Sequence, residues 1–158
     1  MGMKSMKKLI LVIGVIFVII ILLLYSDVFR EKQGIRITIF RNGEAREIPQ
    51  QSGNFNQTLQ YAEELFVNAN DMLKLLVTDE TITRYKAGDA VEIRYAEPRE
   101  FTIHGNSKQV DGLLVSFVGD NAVIFYRMNG RYSSGPLANT NENVKEIRNA
   151  ILNTTGNP

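Results

Sequence analysis

From Leu9 to Tyr25 the chain presents an unbroken apolar run without charge or proline, preceded by Lys4, Lys7 and Lys8. At ~1.5 Å per residue this run spans close to the ~30 Å hydrocarbon core of a bilayer, and it predicts a transmembrane helix. The lysine stems suit one interface and Tyr25 the other. The rival reading is a cleaved signal peptide, which has an apolar stretch of ~7–15 residues and a small-x-small site. Here the run ends Leu23-Leu24-Tyr25-Ser26, which favours an uncleaved anchor. Three lysines without an acid in front of the run point to a cytoplasmic tail over residues 1–8 and an extracytoplasmic C-terminal region. Arg30, Lys32 and Arg36 on the far side weigh against that orientation.

Beyond a polar linker, residues 26–34, the pattern becomes that of a folded domain over residues 35–153. Ile35, Ile37 and Ile39 alternate with Arg36 and Thr38, the period of a strand with one wet face. Asn42-Gly43 predicts a tight hairpin turn, with a return strand through Ala45 to Ile48. From Phe55 to Val77 the period is helical, with Leu59, Ala62, Leu65, Phe66, Ala69, Met72, Leu73 and Leu76 on one stripe. Asp79 is placed to cap a short helix ending near Gly88, although Thr81-Ile82-Thr83 also permits a strand.

Val91, Ile93 and Tyr95 predict a one-sided strand with Glu92 and Arg94 in solvent. Glu97-Pro98-Arg99 breaks it, Phe101 and Ile103 begin another, and residues 105–109 form a polar turn. Leu113–Val118 and Ala122–Tyr126 are apolar on both parities, which places this hairpin in mid-sheet with both faces covered. The long helix covers one face. The last helix, the first hairpin or a partner is expected on the other. That last helix contains Val144, Ile147, Ile151 and Leu152 behind a cap at Asn141 or Asn143, and residues 154–158 are a frayed tail. The whole predicts an α+β fold: a transmembrane helix, a mainly antiparallel sheet, one long amphipathic helix and a C-terminal helix.

Charge and composition narrow the chemistry. Three of eighteen basic residues precede the apolar run and all seventeen acids follow it. The domain is therefore mildly acidic, without the basic footprint of a nucleic-acid binder. With no cysteine there is no disulfide, thiolate nucleophile or Cys-ligated metal. Phosphate-loop, dinucleotide, zinc-protease and EF-hand patterns are missing, and no cofactor is implied. His104, the single histidine, is expected on the surface beside Gly105. Ser116, Ser133 and Ser134 lack a nucleophile elbow and an evident base.

Glu63/Glu64 and Glu97/Glu100 are the acid pairs a hydrolase would need, but neither has apolar surroundings that would raise one pKa. The most site-like segment runs from Tyr126 to Pro136. Tyr126, Arg127, Arg131, Tyr132 and Ser134 there combine residue types enriched at recognition surfaces with a Ser-Ser-Gly-Pro loop that offers amides and hydroxyls. The expectation is a membrane-anchored, non-catalytic binding domain whose partners are the bilayer and another membrane or envelope protein. A carboxylate-based envelope hydrolase and a small-ligand sensor are the alternatives. Oligomeric state is not legible.

Overall fold

The computed structural model describes residues 34–153, so the anchor, residues 1–8, most of the linker and the C-terminal tail lie outside the described residues. Among the described residues no helix is long and apolar enough to cross a membrane. The described residues form an α+β fold, a mainly antiparallel eight-stranded sheet with three helices.

The first hairpin forms as its pattern implies. Strands β1 (Arg36–Arg41) and β2 (Glu44–Ile48) are joined by Asn42 and Gly43 at φ 51° and 82°. Strands β4 (Ala90–Ile103), β5 (Asn106–Val118) and β6 (Asn121–Met128) make the middle. Two short strands, β3 (Asp71–Met72) and β8 (Leu137–Asn139), close the far side. The order is β2-β1-β4-β5-β6-β8-β3, with β7 (Arg131–Tyr132) paired to β6. The β5–β6 hairpin is thus internal, in keeping with apolar residues on both its parities.

Helix α1 (Phe55–Val67) and helix α3 (Val144–Asn153) share one face. Leu65 and Phe66 of α1 and Ile147 and Ile151 of α3 belong to one core with Ile37, Ile39, Val91, Ile93, Leu113, Val115 and Ile124. The opposite face is covered by helix α2 (Asp79–Lys86) and the extended stretch before it. Ile82, Leu73, Leu75, Val77 and Tyr85 pack there over Phe40, Ala90, Leu114, Val123 and Phe125. This corrects the expectation that the last helix, the first hairpin or a partner covers the second face. The last helix lies with α1, and the first hairpin forms the sheet edge.

The long helix is the principal correction. It ends at Val67, with Asn68 as its cap, ten residues short of Val77. Asn68, Asn70 and Asp71 compete with helical backbone for hydrogen bonds. Asn70 N–H donates to the Ala138 carbonyl (3.0 Å), and its side-chain oxygen accepts from Thr140 N–H (3.2 Å). The Asn141 side chain donates to the Asn68 carbonyl at 3.3 Å and that of Asn139 to the Leu65 carbonyl at 3.0 Å. After this amide seam the chain rounds the sheet edge. Leu73, Leu75 and Val77 are half-buried and alternate with exposed Lys74 and Leu76, a period of two.

Smaller differences follow from similar causes. Thr78 caps α2, its hydroxyl accepting from Thr81 N–H at 3.2 Å, while Asp79 stands in the first turn. Pro98 does not end its strand. The register passes from Arg94↔Gly112 to Arg99↔Val110, and the proline, which has no N–H to give the ladder, sits in that bulge. The next turn is His104-Gly105, both left-handed (φ 48° and 78°), and the strand resumes at once at Asn106. Residues 105–109 are therefore mostly strand.

Candidate functional site

The sheet register places side chains of one row on the α2 face. Arg36 of β1 pairs with Arg94 of β4, Arg94 with Gly112 of β5, Gly112 with Arg127 of β6, and Arg127 with Tyr132 of β7. Gly112 is what makes the row compact. A Cβ built there would lie 2.9 Å from the Ile93 carbonyl oxygen, 3.3 Å from Arg94 Cδ and 3.5 Å from Arg127 Cδ. Two arginine stems therefore lie close over a residue that has no side chain to separate them.

Two residues along β4 from Arg94, and so on the same face, Glu92 organises the neighbouring cations. Its Oε2 accepts from Lys86 Nζ at 2.8 Å. Its Oε1 accepts from Tyr132 Oη at 2.7 Å and from Arg94 through a short contact. Arg94 also stacks on the Tyr132 ring, 5.7 Å from guanidinium carbon to centroid. Desolvation is the largest single influence on the Glu92 carboxyl and pushes its pKa up. The hydrogen bonds from Lys86 and Tyr132 and the charges of Arg94 and Lys86 together outweigh it, so the pKa lies below the ordinary value. The Tyr132 phenol shifts upward, through burial first and then the adjacent Glu92 charge.

Around this knot lies an open cleft of about 670 Å³, lined by Val77, Ile82, Lys86, Arg94, Arg127, Arg131 and Tyr132, among others. Arg127 Nε lies 3.3 Å from Asp111 Oδ1, a charge contact in which that oxygen accepts no directed hydrogen bond. The other Asp111 oxygen accepts from Gly130 N–H at 2.6 Å and so holds the β6–β7 turn. Arg131 is exposed and has no ion-pair partner among the described residues.

Of the five residues singled out from sequence, the cleft brings together Arg127, Arg131 and Tyr132. Tyr126 faces the other way, 4% exposed, with its ring 5.6 Å from that of Phe66. Ser134 is exposed and is not part of the cleft lining. Strand alternation is the reason, because adjacent residues 126 and 127 point to opposite faces. Lys86, Glu92 and Arg94 are the members that sequence reasoning missed. Glu92 and Arg94 read as the wet parity of a one-sided strand, whereas α2 shelters that side and Glu92 is 8% exposed.

The other candidate groups have structural partners. His104 is exposed, with Nε2 2.8 Å from the Ala69 carbonyl oxygen beyond α1. Ser116 is buried and donates to the Tyr85 carbonyl at 3.1 Å. Glu63 accepts from Tyr95 Oη (2.9 Å) and Arg99 (2.7 Å), while Glu64 faces Asn143. Glu97 and Glu100 are exposed, and Glu100 accepts from Ser107. Among the described residues no three or more His, Asp or Glu are grouped to hold a metal ion. Comparisons with protein-family models, curated proteins and solved structures find no match for this chain.

Proposed function

We propose that this chain is a single-pass membrane protein whose extracytoplasmic domain recognises another membrane or envelope protein without catalysis, through the α2-face cleft. Leu9–Tyr25 crosses the bilayer and residues 1–8 remain cytoplasmic, on the length and flanking charge of the apolar run. The carrying observation for the site is that Arg127, Arg131 and Tyr132 meet Lys86 and Arg94 at one concave surface. Arginine and tyrosine there combine directed hydrogen bonds with apolar area, the composition of an interface centre. Glu92, the one acid in the knot, is stabilised in its ionised form, which suits an organiser of cations and not a proton donor.

Cross-linking followed by capture from membranes tests the reading. Wild type is compared with a variant carrying Arg127→Gln, Arg131→Ala and Tyr132→Phe, changes chosen to keep most of the packing. Loss of specific captured proteins, with the variant still folded at the assay temperature although its transition is lowered by the missing Tyr132–Glu92 hydrogen bond, is the expected result. An identical set of captured proteins refutes the site.

A further inference from the structure

We infer that the feature the cleft recognises is a peptide's terminal carboxylate carried on an apolar residue. The inference rests on the reading of the cleft as the binding surface, and it adds the chemistry of what binds. Four cations line the cleft: Lys86, Arg94, Arg127 and Arg131. Lys86 and Arg94 share Glu92, Arg127 lies against Asp111, and Asp79 is also in the lining. Four positive charges against three carboxylates leave one positive charge, the complement of a monoanion.

The donors also match the geometry of a carboxylate. Arg94 and Arg127 are brought side by side by Gly112. Among the described residues Arg131 has no ion-pair partner of its own, and the Arg127–Asp111 contact is not a directed hydrogen bond. Guanidinium groups are planar forks that hold planar oxyanions bidentately. The apolar half of the ligand has its own surroundings. Val77 and Ile82 line the same cleft beside the Tyr132 ring, so a charged head and an aliphatic side chain fit together. At about 670 Å³ the cleft has room for one or two residues, not an extended surface.

The test uses the full chain in detergent micelles, labelled with ¹³C at its tyrosine rings, the Tyr132 resonance being identified with Tyr132→Phe. Three probes are titrated: N-acetyl-leucine, its neutral amide, and diethyl phosphate. The expected result is a saturable shift of the Tyr132 resonance with N-acetyl-leucine and binding of the amide weaker by about tenfold or more, because a charge-assisted hydrogen bond is lost. Arg131→Gln, an exposed position without a role in packing, should weaken the acid by a similar factor and flatten its dependence on salt. Equal binding of acid and amide, or no binding of the acid, overturns the inference. Equal binding of diethyl phosphate overturns the choice of carboxylate. Acid binding that persists while membrane capture is unchanged in the site variant sinks the protein-partner reading and leaves this inference standing.

Discussion

Replacing Glu92 by glutamine removes a charge and almost no volume, and so isolates what the carboxylate contributes. Three donors converge on it: Lys86 at 2.8 Å, Tyr132 at 2.7 Å and Arg94. A hydrogen bond to a charged group contributes ~1.5–3 kcal/mol. Glutamine keeps an acceptor oxygen for Tyr132 and Arg94 at reduced strength, but turns amide hydrogens toward Lys86. Breaking a buried pair costs ~3–5 kcal/mol when the remaining charge stays dry. Here the Lys86 and Arg94 side chains keep 24% and 35% exposure, and water relieves part of that cost. The expected loss is therefore ~2–4 kcal/mol at neutral pH. Urea unfolding of wild type and Glu92→Gln, followed by near-ultraviolet circular dichroism, measures it. The difference must also depend on pH with a definite sign. The folded-state pKa of Glu92 is depressed, so its contribution is fully present above the unfolded value of ~4.3 and is lost as pH falls through the lower folded value. The two proteins should converge in acid. A difference below ~0.5 kcal/mol at neutral pH, the scale of an ordinary surface substitution, would refute the reasoning. So would a gap that stays constant into acid.

Gly112→Ala should lower stability by ~1–3 kcal/mol in the same assay, because the new Cβ meets the Ile93 carbonyl, which is backbone and cannot swing aside. Leu65→Asp, at a position 1% exposed, should cost at least ~3 kcal/mol, whereas Glu64→Ala should stay within ~0.5 kcal/mol; equal tolerance would place the inward face of α1 elsewhere. Protease added outside intact cells should digest the region after Gly34, and Lys4, Lys7 and Lys8 changed together to Glu should weaken or invert insertion. Full protection of that region with an accessible N-terminus would reverse the proposed topology.

Strong local patterns are legible in the sequence itself. Asn42-Gly43 specifies a tight turn through residues that accept positive φ, and the turn forms. The double-sided apolarity of Leu113–Val118 and Ala122–Tyr126 correctly implied a covered central hairpin. The end of α1 was hidden by coincidence of period. Ala69, Met72, Leu73 and Leu76 continue a spacing of three and four, yet Leu73, Leu75 and Val77 are the residues that turn inward. The Asn70 side-chain amide and the Asn68 backbone carbonyl decide the matter through partners some seventy residues away, which no local window contains.

The cleft was half legible for the same reason. Arg127, Arg131 and Tyr132 are close in sequence and could be suspected together. Lys86, Glu92 and Arg94 join them only through the β4–β5–β6 register and the placement of α2. Alternation along one strand separates Tyr126 from Arg127, and that separation was available from period alone once the strand was recognised.

The amide seam between the end of α1 and the turn after β8 is built from Asn68, Asn70, Asn139, Thr140 and Asn141, all of them uncharged. Neutral groups neither titrate in the ordinary pH range nor feel ionic screening as ion pairs do. The hydrogen bonds of this seam are therefore blind to acid and salt, with the titratable His104 beside them at the Ala69 carbonyl, whereas the Glu92 knot responds to both. Acidification should loosen α2 against the sheet while this corner holds, so that the cleft loses its shape without the chain losing its path.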